Sequence, residues 1–171
     1  MAKTSVLEKK RILAVDDEAD VLEVVKEEIR MAAPGSTVDT AGSFERAIEL
    51  LASWTYDLII LDIMGVRGFD ILKRVAGRST RIPVVMLTAH SLTPESMQKS
   101  IELGARAYLP KERLGALVPF LEDVLTHEYG SVWRRVLKQC EGVFSKQWGA
   151  YWRKPDEAFW NEFEEKISRR K

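Results

Sequence analysis

The sequence predicts an α/β fold: a doubly wound, five-stranded parallel sheet with helices on both faces, followed by a C-terminal helical extension. Three observations carry this. Short apolar runs alternate five times with segments whose apolar residues recur every three or four positions. The runs are continuously apolar, as in strands covered on both faces. From Glu128 onward the alternation stops and an aromatic stripe at helical spacing takes over.

The first run, Ile12–Val15, precedes a stretch from Val21 to Met31 that puts Leu22, Val25 and Ile29 on one helical face. Pro34-Gly35 stops that helix, and Thr37–Ala41 reads as the second strand. Ser43 can cap a helix with Phe44, Ala47, Ile48 and Leu51 on its apolar positions. Leu58–Leu61 is the third strand, with a helix through Ile71, Leu72 and Val75 behind it. Pro83 opens the fourth strand, Val84–Leu87. Thr93-Pro94-Glu95 then supplies a cap and a first-turn proline for a helix that Gly104 closes. Ala107–Leu109 is the fifth strand, and Leu117, Phe120, Leu121, Val124 and Leu125 mark the helix after it. Gly115 and Pro119 would weaken or bend the start of that helix. Right-handed crossovers bring all five strand C-termini to one edge, where ligands of such sheets bind.

Composition narrows the class. The chain of 171 residues is 46% hydrophobic and 30% charged, and its 26 basic and 26 acidic side chains leave no global field that would attract nucleic acid. The single cysteine, Cys140, excludes an internal disulfide framework and fits a reducing compartment. The start, MAKTSVLEKKR, has no apolar signal core, and no apolar run approaches the ~20 residues of a membrane helix. The expectation is a soluble, cytoplasmic protein with no membrane partner.

At the predicted edge, LIILDIM runs four apolar residues into Asp62, and the first strand runs into Asp16-Asp17-Glu18. A buried carboxylate without company is costly, so Asp62 needs a partner. Adjacent strands would gather these carboxylates, which repel unless a cation joins them. Asp16, Asp17 and Asp62, all oxygen donors with room for water, suit Mg²⁺ better than zinc. The simpler reading makes Asp16 and Asp17 caps of the first helix, favouring its dipole. The fourth strand ends in Thr88-Ala89, a hydroxyl and a closely approachable N–H. The fifth ends in Tyr108-Leu109-Pro110-Lys111, an ammonium. Together these could hold a metal and a phosphoryl group, with Thr88 and Lys111 on phosphate oxygens. Any one of them alone reads as structural or solvated. His90 and His127 have no ligand-spaced companions, and surface roles suit both.

The apolar strand into Asp16-Asp17, LIILDIM with Asp62, LTAH with Thr88, and AYLPK with Tyr108 and Lys111 occur in the order seen in one family. Over residues 9–127 the chain resembles the receiver domains of two-component response regulators, which are CheY-like. The resemblance implies a flavodoxin-like sheet of strand order 2-1-3-4-5. It implies that Asp62 accepts a phosphoryl group from a sensor histidine kinase or a phosphotransfer protein. Asp17 and Asp62 would ligate Mg²⁺ directly, Asp16 partly through water, and Met64 through its backbone carbonyl. Lys111 would pair with the phosphoryl group, Thr88 and the Ala89 N–H would receive its oxygens, and Thr88 with Tyr108 would form the switch. The readout would be the face of the fourth helix, fifth strand and fifth helix. Catalysis would be limited to the chain's own Mg²⁺-dependent aspartyl phosphorylation and dephosphorylation. Met64 and His90 occupy positions that tune phosphoryl lifetime in the family. Six steps separate Asp62 from Gly68, where the family commonly has a longer stretch and a proline. A shortening after Met64 spares the metal ligands, and one before it displaces the carbonyl.

Two rival readings stand beside this one. A pseudo-receiver would keep the fold as an unphosphorylated scaffold, favoured only by the short loop. A haloacid-dehalogenase-like phosphatase would want an acid two residues after its nucleophile, where Met64 stands. The extension, residues 128–171, holds Trp133, Trp148, Trp152 and Trp160, and Trp133, Leu137, Cys140, Phe144, Trp148 and Tyr151 form its stripe around helices flanking Pro155. It is too short for a winged helix and carries a mild excess of three basic charges (ten basic, seven acidic), so a DNA-binding output is not expected. The stripe either folds back on the receiver or serves self-association or a downstream protein target.

Overall fold

The computed structural model describes residues 3–79, 81–89 and 93–169. Its strands are β1 (Arg11–Val15), β2 (Thr37–Ala41), β3 (Leu58–Asp62), β4 (Val84–Thr88) and β5 (Ala107–Pro110), all parallel in the order β2-β1-β3-β4-β5. The helices are α1 (Ala19–Ala32), α2 (Phe44–Ser53), α3 (Gly68–Ala76), α4 (Pro94–Glu102), α5 (Leu117–Thr126), α6 (Tyr129–Trp148) and α7 (Glu157–Arg169). Every residue of β3 and β4 is buried, which explains their unbroken apolar character.

Three of the expected strands are extended at the edge that matters. β3 takes in Asp62, β4 takes in Thr88 and β5 takes in Pro110. The ladder pairs Asp62 with Leu87 and Thr88 with Pro110, so the sheet's own backbone fixes the polar ends. Helix starts follow the predicted chemistry. The Ser43 hydroxyl accepts from the Arg46 N–H at 3.2 Å, and the Thr93 hydroxyl accepts from the Ser96 N–H at 3.4 Å with Pro94 in the first turn. Residues Lys111–Ala116 form a 3₁₀ turn ahead of α5. Gly115 therefore precedes the helix, and Pro119 sits in its first turn, where a missing N–H costs no intrahelical bond.

The extension folds back on the sheet. α6 buries Trp133, Leu137, Cys140 and Phe144, and α7 buries Trp160, Phe163 and Ile167. Trp133 meets Phe163 edge-on at 5.6 Å, Phe144 stacks on Trp148 at 4.8 Å, and Trp152 meets Trp160 at 4.9 Å. Phe144 also reaches Tyr108 of β5, at 6.1 Å between ring centres. One member of the predicted stripe is corrected. Tyr151 is 76% exposed and Trp152 is buried in its stead, because α6 ends at Trp148 and Gly149, at φ +89°, breaks the helical phase. Burial holds the Cys140 thiol up at about 11, so it is inert at neutral pH. His127 lies on the surface beside Asp123 and Arg135. His90 lies outside the described residues. Among the described residues, no helix is long and apolar enough to cross a membrane.

Candidate functional site

Three carboxylates meet beyond the C-terminal ends of β1 and β3. The Asp16 N–H donates to the Ala41 carbonyl at 3.1 Å, which prolongs the ladder by one residue past β1. The Glu18 N–H donates to Asp16 Oδ1 at 2.9 Å and fixes that side chain. Asp16 and Asp62 are buried, at 1% and 3% exposure, while Asp17 faces solvent. One oxygen from each of the three lies within 4.8 Å of the others. Burial first, and the charges of Asp16 and Asp17 next, raise the Asp62 pKa to about 7 against the pull of Lys111. Asp16 is raised as well, chiefly by burial.

Among the described residues, one ammonium answers this charge. Lys111 Nζ lies 2.8 Å from Glu18 Oε1, 2.9 Å from Asp16 Oδ2 and 3.6 Å from Asp62 Oδ1. Burial disfavours its charge, but Glu18, Asp16 and Asp62 overcome that and hold its pKa above the ordinary lysine value. Asp16 Oδ2 is an ion-pair neighbour of Nζ, and among the described residues no other donor serves it. A buried carboxylate whose one ammonium is shared with two other acids, beside a further carboxylate that meets solvent, fits a small hard cation that keeps part of its water. The residues present thus fit Mg²⁺. Glu18 had been assigned no role. Its signal was its place as the third acid in one run at a strand end.

The turn after Asp62 bends sharply at residues 65 and 67. Gly65 has φ +76° and Arg67 has φ +54°, a left-handed conformation that costs a side-chain-bearing residue about 1–2 kcal/mol. A Cβ on Gly65 would fall 2.4 Å from the Asp17 carboxyl carbon. One on Gly68 would fall 2.1 Å from the Asp62 carbonyl oxygen. Two glycines therefore let the loop wrap closely over two of the three acids. Val66 is fully buried beneath this turn, while the Met64 side chain points to solvent.

Thr88 ends β4 one position past the partner of Asp62, and Ala89 follows it half-buried. Thr88 is buried and Tyr108 fully so. Burial raises the Tyr108 pKa, and Thr88 is the polar group nearest in effect. Even so, among the described residues the Tyr108 hydroxyl has no hydrogen-bond partner of good geometry. The sheet thus gathers Asp16, Asp17, Asp62, Thr88, Ala89 and Lys111 at one edge, with Tyr108 two residues below Pro110 on β5.

Residues 12–118 match the response regulator receiver domain. The chain belongs to this family. Among curated relatives, the transcriptional regulatory protein CusR of Escherichia coli strain K12 is 37% identical over 103 residues, 59% of this chain and 44% of that protein. The transcriptional regulatory protein DltR of Streptococcus agalactiae is 34% identical over 103 residues, 59% of this chain and 45% of that protein. The chain thus spans under half the length of these two relatives. Among solved structures, the chemotaxis protein CheY4 of Vibrio cholerae aligns with TM-score 0.61 at 30% identity, over 68% of this chain and 98% of that one. A two-component response regulator from Clostridium difficile aligns with TM-score 0.61 at 26% identity, over 68% of this chain and 95% of that one. The match ends at residue 118, within α5, so α6 and α7 lie outside the matched receiver.

Proposed function

We propose that residues 9–127 form a phosphorylatable receiver, that residues 128–171 form a helical appendage, and that the receiver takes its phosphoryl group on Asp62. The donor is the phosphohistidine of a sensor kinase or a phosphotransfer protein, and the output is a change in protein contacts. One observation carries the reading: Asp62 is buried beside Asp16 and Asp17, with Lys111 as the nearby cation. Like charges gathered this closely repel unless a cation joins them, and a metal ion and Lys111 together supply the positive charge that a phosphoryl group's oxygens need.

Asp17 and Asp62 would hold Mg²⁺ directly, with Asp16 assisting and the Met64 carbonyl as a further ligand. The ion supplies positive charge to the oxygens of the transferring group. A carboxylate oxygen of Asp62 forms the new bond to phosphorus as the bond from phosphorus to the donor nitrogen breaks, and the electron pair leaves with the histidine. Lys111, already drawn into the pocket, pairs with a phosphoryl oxygen, and Thr88 with the Ala89 N–H receives the others. Burial keeps Asp62 rigid at the edge of the sheet. Phosphotransfer signalling places such a chain in the cytoplasm.

Incubation with acetyl phosphate and Mg²⁺, read by phosphate-affinity electrophoresis, tests the site. Labelling should occur in the parent chain and vanish in Asp62→Asn. Undiminished labelling of Asp62→Asn would overturn the assignment. The left-handed Arg67 and the tight turn favour a second reading, an unphosphorylated scaffold. In that case the parent chain stays unlabelled.

A further inference from the structure

Helix α1 begins just after Glu18, which occupies the cap position while its side chain makes no capping hydrogen bond among the described residues. That position favours Ser, Thr, Asp or Asn, whose short side chains reach the free N–H groups of the first turn. Glu18 reaches elsewhere. Its N–H is tied to Asp16 Oδ1 at 2.9 Å, and its carboxylate accepts from Lys111 Nζ at 2.8 Å, across 93 positions of chain. The helix forgoes a cap, and the side chain in the cap position holds the ammonium of the site instead.

The acids around Lys111 among the described residues are unequal. Asp16 Oδ2 lies 2.9 Å from Nζ and Asp62 Oδ1 lies 3.6 Å away. The side chains of Asp16 and Asp62 are 1% and 4% exposed, that of Lys111 14% and that of Glu18 59%. The ammonium thus rests between Asp16 and the one acid that faces water, beyond hydrogen-bond distance of Asp62. An ion pair with an exposed carboxylate is weak and readily exchanged. That suits a cation with a second partner to serve. A phosphoryl group on Asp62 brings its charge to the buried side of the lysine, where it is less screened than Glu18.

We propose that Glu18 is a positioning residue for the site: with Asp62 free it draws the Lys111 ammonium toward solvent and leaves the Asp62 oxygens to the metal, and it gives up the ammonium when a phosphoryl group arrives. This rests on the reading of Asp62 given above. Without Glu18, the metal and Lys111 contend for the same carboxylates. Glu18 separates the two cations, and so favours the metal while opposing the phosphoryl group. Removing it therefore moves the two ligands in opposite directions. A charge acting only through space would do so with or without Lys111, whereas exchange of the ammonium requires Lys111.

The test uses the full chain. Mg²⁺ binding is read by calorimetry with no phosphoryl group present, and beryllofluoride binding at saturating Mg²⁺ by fluorine NMR. Glu18→Gln should weaken Mg²⁺ and tighten beryllofluoride, each about threefold. In a Lys111→Met background the effect on Mg²⁺ should shrink to within about 1.5-fold. Glu18→Asp keeps the charge but shortens the reach. It should shift both ligands in the direction of Glu18→Gln, and it covers the case of a poorly folded Lys111→Met. Equal effects of Glu18→Gln with and without Lys111, or a Glu18→Asp chain that binds both ligands as the parent does, overturn the role of Glu18 and leave the site intact. A parent chain that binds Mg²⁺ alone, or neither ligand, overturns the reading of Asp62 and the exchange of Lys111 with it.

Discussion

Near the N-terminal side of the sheet, Arg11 of β1 donates from Nε and Nη2 to Asp39 of β2, and the Tyr56 hydroxyl donates to the same carboxylate at 2.7 Å. Trp54 covers the guanidinium at 3.7 Å. At the C-terminal side, Asp16, Glu18 and Asp62 share one lysine, and Asp17 stands beside them. The first cluster balances one carboxylate with one guanidinium and adds a phenol as a third donor to the same carboxylate oxygen. The second leaves acids in excess, with one ammonium shared among three of them. A balanced cluster holds a fold together. An unbalanced one, kept where folding would gain from removing it, is held for a ligand.

The backbone around the unbalanced cluster gives the largest expected effect. Gly68→Ala would drive a Cβ into the Asp62 carbonyl and to within 2.8 Å of the Ile63 Cα, and neither can move without shifting the acid. The cost should be about 3 kcal/mol in urea unfolding, with labelling of Asp62 lost as well. A neutral effect would show that the turn does not press on the site.

The contrast in charge predicts opposite signs for the same chemical change. Asp39→Asn removes the partner of Arg11 and should cost about 1 kcal/mol. Asp62→Asn in chelator should stabilise the chain at neutral pH by about 2 kcal/mol. The sign follows from proton linkage. The folded Asp62 holds its proton up to about pH 7, whereas an unfolded aspartate releases it near ~3.9. Across that window the folded state binds more protons, so the parent loses stability as pH rises, and the gain from Asn grows from nothing near pH 4 to its full value above 7. Saturating Mg²⁺ should reverse the gain, because only the parent keeps the full set of carboxylates. Equal signs at Asp39 and Asp62, measured by urea unfolding at several pH values, would collapse the contrast.

Glu18→Gln is the smallest change. Glu18 holds Lys111 at 2.8 Å while Asp62 lies 3.6 Å away. Its side chain is largely exposed, so stability should move by less than about 0.5 kcal/mol. Freed of Glu18, the ammonium should sit closer to Asp62 and lower the acetyl phosphate concentration for half-maximal labelling a few-fold. Glu18→Asp should restore part of the parental value. An unchanged concentration dependence would remove Glu18 from the site.

Much of this was legible from local pattern. The strands were readable because burial on both faces forces continuous apolar runs, and the starts of α2 and α4 because Ser43 and Thr93 are caps. That Asp16, Asp17, Asp62, Thr88, Ala89 and Lys111 would come to one edge was legible because strand ends of a parallel sheet share one edge. Glu18 was missed because reach across 93 positions to Lys111 is invisible to spacing. Tyr151 was misplaced because the phase of a helix ends where the helix does, and Gly149 hides that end inside an aromatic run.

Periodicity, caps and the polarity of strand ends are properties of neighbouring residues, so the linear chain by itself determined the sheet, its helices and which side chains stand at the edge. Whether the short turn spares the acids, where the lysine rests among its competing carboxylates, and which surface receives the tryptophan-rich helices depend on groups far apart in sequence. Only the tertiary packing decided these, because steric fit at Gly65 and Gly68, charge balance at Lys111 and the burial of Phe144 against Tyr108 exist only once the strands and helices have met.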